Sequence, residues 1–245
     1  MVGLADAVIW HDVECGGYDA DLALWQEVAD ACDGPVAELG CGTGRVALDL
    51  AARGHSVTAL DSDASLIAAL EERARIQGCA VEALVADARS FRLPHRDFGL
   101  FIAPMQVVQL MGGPERRSAM LACVRSHLRG GGVFAAALAD PFEGVPAEDA
   151  GPPLPDLREQ DGWVFSSTPV AVRSEAGGTA IDRLRQAVSP NGELDESMTS
   201  IVLDRLEADE LEREATAAGF RPRARRTVPA TGDYVGSVVV VLEAV

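Results

Sequence analysis

The segment Glu38-Leu39-Gly40-Cys41-Gly42-Thr43-Gly44 carries the most chemistry for its length. It lies between a strand-like run, residues 36–39, and a helix-like run, residues 43–52. Glycines at such a junction let a ligand approach the backbone, and the helix N-terminus offers free N–H groups. Asp61 follows after one helix and one further strand, 21 residues beyond Gly40. A carboxylate at the tip of a second strand can accept both hydroxyls of a ribose. Together these features point to a cofactor built on a nucleoside. The spacing G-x-G-x-G, followed by Arg45 and Val46, departs from the G-x-G-x-x-G/A of a dinucleotide loop. Glu38, two residues before the first glycine, would repel a pyrophosphate but suits an ammonium group, held directly or through water.

Composition narrows the chemistry further. Among 245 residues every one of the 21 basic side chains is Arg. A Walker-A lysine, a pyridoxal Schiff base and a lysine general base are therefore excluded. The net charge of −17 opposes binding to a nucleic-acid backbone. The basic run Arg221-Pro-Arg223-Ala-Arg225-Arg226 reads as the solvated face of a strand. Five cysteines, at 15, 32, 41, 79 and 123, form no C-x-x-C pair, which fits a reducing, cytoplasmic setting without a metal site. No apolar run is long enough to cross a bilayer. The first 17 residues carry Asp6, Asp12 and Glu14 and no basic stretch, unlike a secretory signal.

The elements that must position these residues follow from periodicity. Helices are expected over residues 20–32, 43–52, 64–77, 114–128 and 207–218, and strands over 36–39, 56–60, 81–85, 99–103 and 133–138. Strands alternating with helices imply a parallel sheet covered on both faces. The texture changes at Pro141. A Pro/Gly/acidic loop over 147–155 precedes three strand-like runs, 164–172, 180–188 and 197–203, separated by Gly177-Gly178 and Pro190-Asn191-Gly192. Residues 141–205 thus read as an antiparallel insertion, and 221–228 with 234–242 as a final strand pair around Gly232-Asp233.

At these residues the sequence resembles the class I S-adenosylmethionine-dependent methyltransferases of small-molecule type. ELGCGTG is similar to that family's first motif, and Asp61 to its ribose-binding acid. Ala86-Asp87-Ala88 resembles the segment that contacts adenine. Leu128-Arg-Gly-Gly-Gly132 resembles a turn before the fifth strand, with Gly130 where the family commonly has Pro. The resemblance implies one domain over residues 1–245. Its fold would be a doubly wound, Rossmann-like seven-stranded α/β sheet with a reversed last strand. Residues 1–34 would form a cap over the cofactor, and 141–205 an antiparallel β-lid. S-adenosylmethionine is the implied cofactor and S-adenosylhomocysteine the product. The implied cofactor-binding residues are Tyr18, Glu38, Gly40, Cys41, Gly42, Gly44, Asp61, Ser62, Asp87, Ala88, Arg89 and Pro104. Tyr18 would reach the methionine carboxylate and Arg89 would cover the adenine ring.

The place after the fourth strand reads Ala103-Pro104-Met105-Gln106. It differs from the (D/N)-P-P-(Y/F) of DNA and protein-amide enzymes, and it lacks the acids of metal-dependent catechol-type enzymes; Asp140-Pro141-Phe142 follows the fifth strand instead. The resemblance therefore implies a small-molecule acceptor, such as a sugar or secondary metabolite, with no metal, nucleic acid or membrane partner, and leaves a homodimer open. Methyl transfer from a sulfonium is an in-line displacement that needs alignment more than a side-chain nucleophile. Candidates on the acceptor side are His11, expected before the first helix, and Gln106 and Gln109, just past the fourth strand. Trp163 and Phe165, on alternate positions of one strand, are placed to line an apolar pocket. His55, His95 and His127 read as structural, His127 as a cation at a helix C-terminus. Two other readings remain open. One is a nicotinamide-dependent Rossmann oxidoreductase, disfavoured by the missing lysine; the other is a nucleoside-binding module without turnover.

Overall fold

The computed structural model describes residues 6–139, 154–231 and 234–245. The expected features at Asp140-Pro141-Phe142, in the first part of the 147–155 loop and at Gly232-Asp233 lie outside them.

Five strands run parallel: β1 (Val36–Leu39), β2 (Val57–Asp61), β3 (Val81–Val85), β4 (Phe98–Ala103) and β5 (Leu128–Leu138). Their order is β3-β2-β1-β4-β5. The reversed last strand is present: β12 (Ser237–Ala244) is antiparallel to β5, with Val238 opposite Leu138 and Glu243 opposite Val133. The expected single strand over 221–228 is two short ones. β10 (Phe220–Pro222) and β11 (Arg226–Val228) pair successive stretches of β12. The first ends at Pro222, just past which the Arg223 N–H still donates to the Val241 carbonyl at 2.8 Å. Strands β1 and β4 are apolar at nearly every position because both faces are covered.

One face packs on α2 (Leu22–Asp30), α3 (Arg45–Ala52) and α4 (Ala64–Gln77) through Trp25, Leu50 and Leu70. The other packs on α5 (Pro114–His127) and α6 (Ala208–Ala217) through Met120, Leu121 and Leu211. The Leu128–Gly132 segment, expected as a turn before the fifth strand, is the beginning of β5, and the register slips between Phe98 and Leu100 to accommodate it.

The insertion is a separate antiparallel sheet of four strands, one more than expected. Its order is β6 (Asp156–Gln160), β7 (Trp163–Glu175), β8 (Gly178–Val188) and β9 (Leu194–Asp204). β6 is short, polar and at the edge, so no apolar alternation announces it. A further helix absent from the sequence reading, α1 (Asp6–Cys15), lies against β6, β7 and α4. Ile9, Trp10 and Val13 are buried with Phe165 and Ala187 of the four-stranded sheet.

Candidate active site

The loop 40–44 leaves the C-terminal end of β1 and enters α3. Cys41 N–H donates to the Leu60 carbonyl at 3.0 Å, tying the loop to β2. Gly42 N–H donates to Asp61 Oδ2 at 2.9 Å, and Asp63 N–H to Oδ1 at 2.9 Å. Asp61 is thus fixed at the strand tip by the loop beside it, and each oxygen keeps a lone pair for another donor. Two glycines are required by shape as well as by backbone angle. Gly40 (φ +63°) and Gly42 (φ +55°) are left-handed, and a Cβ would stand 2.6 Å from Val107 Cγ2 and 2.0 Å from His11 Nε2 respectively.

Glu38 lies beneath this loop, 3% exposed, and its Oε2 has no hydrogen-bond partner among the described residues. Burial pushes its pKa up to about 8, against the lowering effects of the Arg45 charge and the Ala47 N–H. Arg45 itself is engaged elsewhere, donating to Asp21 at 2.5 and 2.9 Å and to the Tyr18 carbonyl at 2.9 Å. An orphaned buried carboxylate is costly unless something charged completes it. Cys41 is buried; burial, then the charges of Glu38 and Asp61, raise its pKa, so it is a small packed thiol rather than a nucleophile.

Solved structures share this architecture. An S-adenosylmethionine-dependent methyltransferase from Clostridium acetobutylicum superposes with a TM-score of 0.71 at 13% identity, over 98% of both chains. An amino pentose methyltransferase of Micromonospora echinaspora, solved with S-adenosylmethionine bound, gives 0.71 at 19% identity over 97% of both chains. A sugar N-methyltransferase of Streptoalloteichus gives 0.73 at 16% identity, over 100% of this chain and 94% of that one. No curated protein sequence matches the chain. Residues 36–132 match the family described as a methyltransferase domain. The chain thus shares the fold of these solved methyltransferases.

Within the matched segment, Glu38, Gly40, Cys41, Gly42, Gly44, Asp61 and Ser62 gather along the ends of β1 and β2. Asp87, Ala88 and Arg89 follow β3. Arg89 is not laid open over a ring site: its guanidinium and backbone N–H both bind Asp87, with Nε to Oδ1 at 2.8 Å. These hydrogen bonds, the side-chain ones first, pull Asp87 down to about 2. Tyr18 is buried, its ring 4.9 Å from that of Tyr234 and under the Arg45 guanidinium, and its hydroxyl bonds with Ser237.

Beyond β4, Pro104 is buried, and Met105 has a left-handed φ of +55°, a strained angle that sequence gave no sign of. Gln106 is half-buried at the start of the 3₁₀ turn Val107–Leu110. Gln109 corrects the expectation of an acceptor contact. It is 3% exposed; Nε2 donates to the Ala139 carbonyl and Oε1 accepts from the Ala139 N–H, both at 2.9 Å. A second bond from Nε2 reaches the Asp204 carbonyl, so its polar atoms are consumed in closing the backbone.

His11 is also placed differently: it is inside α1, not before the first helix, with its ring over Gly42 and Nδ1 3.4 Å from Thr43 Oγ1. Burial lowers its pKa, outweighing the raising effect of Asp12 and Asp61, so the imidazole is neutral. Trp163 and Phe165 pack on each other and on α1, where Phe165 meets Trp10 edge-on at 5.6 Å. His127 is not a helix-end cation. Its Nε2 accepts the Leu93 N–H at 3.2 Å, which needs an unprotonated nitrogen, while Nδ1 lies 2.8 Å from the Cys123 carbonyl.

The C-terminal arginines are paired on the surface: Arg221 and Arg223 with Glu243, Arg225 with Glu212 and Asp209, Arg226 with Glu27. Sequence reading missed Asp12, Glu14 and Thr43, which join α1 to the loop and to the four-stranded sheet. Only the position of Thr43 inside the glycine loop pointed to one of them.

Among the described residues no group of three His, Cys, Asp or Glu gathers as a metal site, and no helix is long and apolar enough to cross a membrane.

Proposed function

We propose that the chain transfers a methyl group from S-adenosylmethionine to a small-molecule acceptor of the sugar or secondary-metabolite kind, leaving S-adenosylhomocysteine. The observation that carries the cofactor is Glu38: a buried carboxylate beneath a glycine loop whose Oε2 has no hydrogen-bond partner among the described residues. A cationic ammonium group completes that site, and its arrival would favour the ionised carboxylate. The cofactor supplies a methyl group already activated on a sulfonium. Asp61 offers both oxygens to a pair of vicinal hydroxyls, pre-set by the Gly42 and Asp63 N–H groups. Asp87 offers acceptor oxygens near the end of β3, shared with Arg89. The four-stranded sheet and α1 serve as the cover that excludes water from the acceptor side. Solved relatives that act on amino pentoses and sugar nitrogen support the acceptor class. A neutral amine needs no base, and His11, its pKa lowered by burial, and half-buried Gln106 are the candidate polar contacts for it.

The test is calorimetric titration of cofactor-stripped protein with S-adenosylmethionine, S-adenosylhomocysteine and NADH. Dissociation constants on the order of micromolar are expected for the first two. Asp61→Ala and Glu38→Ala should each abolish binding. Tight NADH binding with neither of the others would replace this reading by a dinucleotide one. Turnover on a panel of amino sugars, read as S-adenosylhomocysteine formed, then separates an enzyme from a binding module.

A further inference from the structure

Helix α1 stands between the glycine loop and the four-stranded sheet and holds each through a different carboxylate. Asp12, 5% exposed, takes Thr43 Oγ1 at 2.8 Å from the loop, Arg73 at 2.9 and 2.5 Å from α4, and an ion pair with Arg158 of β6 at 3.4 Å. Two residues on, Glu14 takes Ser167 Oγ of β7 at 2.7 Å and Arg185 of β8 at 2.8 and 2.9 Å. The apolar side chains of the same helix, Ile9, Trp10 and Val13, pack with Phe165 of the sheet. His11 meanwhile lies on Gly42, over the backbone that a cofactor must approach.

We propose that Asp12 is a positioning residue that couples the glycine loop to the four-stranded sheet, with α1 as the rigid link and Glu14 as its second grip. The coupling deepens the function proposed above and rests on it only for the identity of the ligand. Anything that lodges along Gly40–Gly42 shifts His11, His11 shifts α1, and α1 moves the sheet through Arg158, Arg185 and Ser167. The consequence is reciprocal: a sheet drawn away from α1 loosens the loop. A carboxylate with three cationic or hydroxyl partners on three separate elements suits such a link, because none of those elements can shift without breaking a charge-assisted bond.

The test is hydrogen exchange on the full-length, ligand-free protein. Thr43→Val keeps the side-chain shape and removes the donor to Asp12. It touches no residue of β6 or β7, yet the coupling requires exchange there to rise about fivefold, and Thr43→Ser to restore it. Glu14→Gln touches no residue of the loop, yet exchange of the amides at residues 41–48 should rise similarly. Changes confined to the immediate contacts of each substituted residue overturn the coupling. Should Thr43→Val fail to fold, Arg158→Gln, on the partly exposed edge strand, combined with Glu14→Gln decides the matter on the same readout.

S-adenosylhomocysteine is the second probe. In the unsubstituted protein it should protect the loop and also β6 and β7. In the Glu14→Gln, Arg158→Gln variant loop protection should persist while sheet protection disappears; persistence of both overturns the coupling. No protection of the loop in the unsubstituted protein defeats the cofactor reading instead, and leaves the ligand-free comparison to judge Asp12.

Discussion

Glu38 is the residue at which fold stability and ligand binding oppose each other. Its pKa in the folded chain is about 8, against an ordinary 4.5, because burial penalises the charged form. The folded state therefore keeps its proton to higher pH than the unfolded chain does. The contribution to stability is complete below pH 4.5 and is lost as pH rises through 8. Glu38→Gln is neutral at every pH. In the ligand-free protein it should match the parent near pH 5 and exceed it in stability near pH 9, by on the order of a few kcal/mol. Chemical denaturation at both pH values checks this; a parent whose stability does not decline over that range would show that Glu38 is not buried as described. The same variant should bind S-adenosylmethionine at least about tenfold more weakly, since a neutral amide loses the charge-assisted bond.

At this scale the residues proposed to hold the cofactor were legible as a local pattern: Glu38 on β1, the glycines in the loop after it and Asp61 at the end of β2. Gln109 was misleading because its position after β4 says nothing about which way its side chain turns. Arg89 was misleading because a neighbour two residues away, Asp87, captures it.

The elements around the four-stranded sheet show what holds its return end. Asp204, at the end of β9, accepts from the Gly113 N–H at 2.8 Å and from Arg117 Nη1 at 2.8 Å. Arg117 is almost fully buried and also binds Glu214 of α6 at 2.6 and 2.9 Å. Gln109 adds its bonds to Ala139 and Asp204. Gln109→Leu strands a buried N–H and a buried carbonyl of Ala139, each costing about 1–3 kcal/mol. A loss of about 2–6 kcal/mol in urea denaturation is expected. The KM for the acceptor should stay unchanged, because the amide is already engaged by Ala139 and Asp204; a raised KM with stability intact would return Gln109 to the acceptor site.

Alternation predicted β7, β8 and β9 because each has a regular run and a Gly-rich turn. It missed α1 and β6 for a shared reason. In α1 the buried Asp12 interrupts the apolar residues Ile9, Trp10 and Val13, and β6 is polar and meets α1 through Arg158 paired with Asp12, so neither shows a clean apolar period. Pattern reading sees burial only where burial is apolar.

Across the molecule, apolar burial is divided unevenly. The main sheet has a packed cluster on each face, with Leu100, Phe101, Ile102 and Phe134 fully buried. The four-stranded sheet shares only a small cluster with α1, and its other face leaves Leu157, Leu194, Met198 and Val202 about half exposed. Local opening energies should follow this division. Amides of β1, β4 and β5 should exchange only on global unfolding, and those of the edge strand β9 first.

Phe165→Ala tests the division. Deleting a core phenylalanine ordinarily costs about 3–5 kcal/mol. Here the penalty cannot exceed the energy needed to open the junction between α1 and the sheet, because beyond that point the junction simply opens. The three tryptophans report the two regions separately: Trp25 is fully buried in the main body, while Trp10 and Trp163 lie at the junction with Phe165. The variant should therefore redden the emission of Trp10 and Trp163 and speed exchange in α1 and β7. Exchange of β4 should change by less than about 1 kcal/mol. Uniform acceleration across both sheets would mean that they unfold as one cooperative unit, with the α1 junction as essential to the main sheet as Trp25 is.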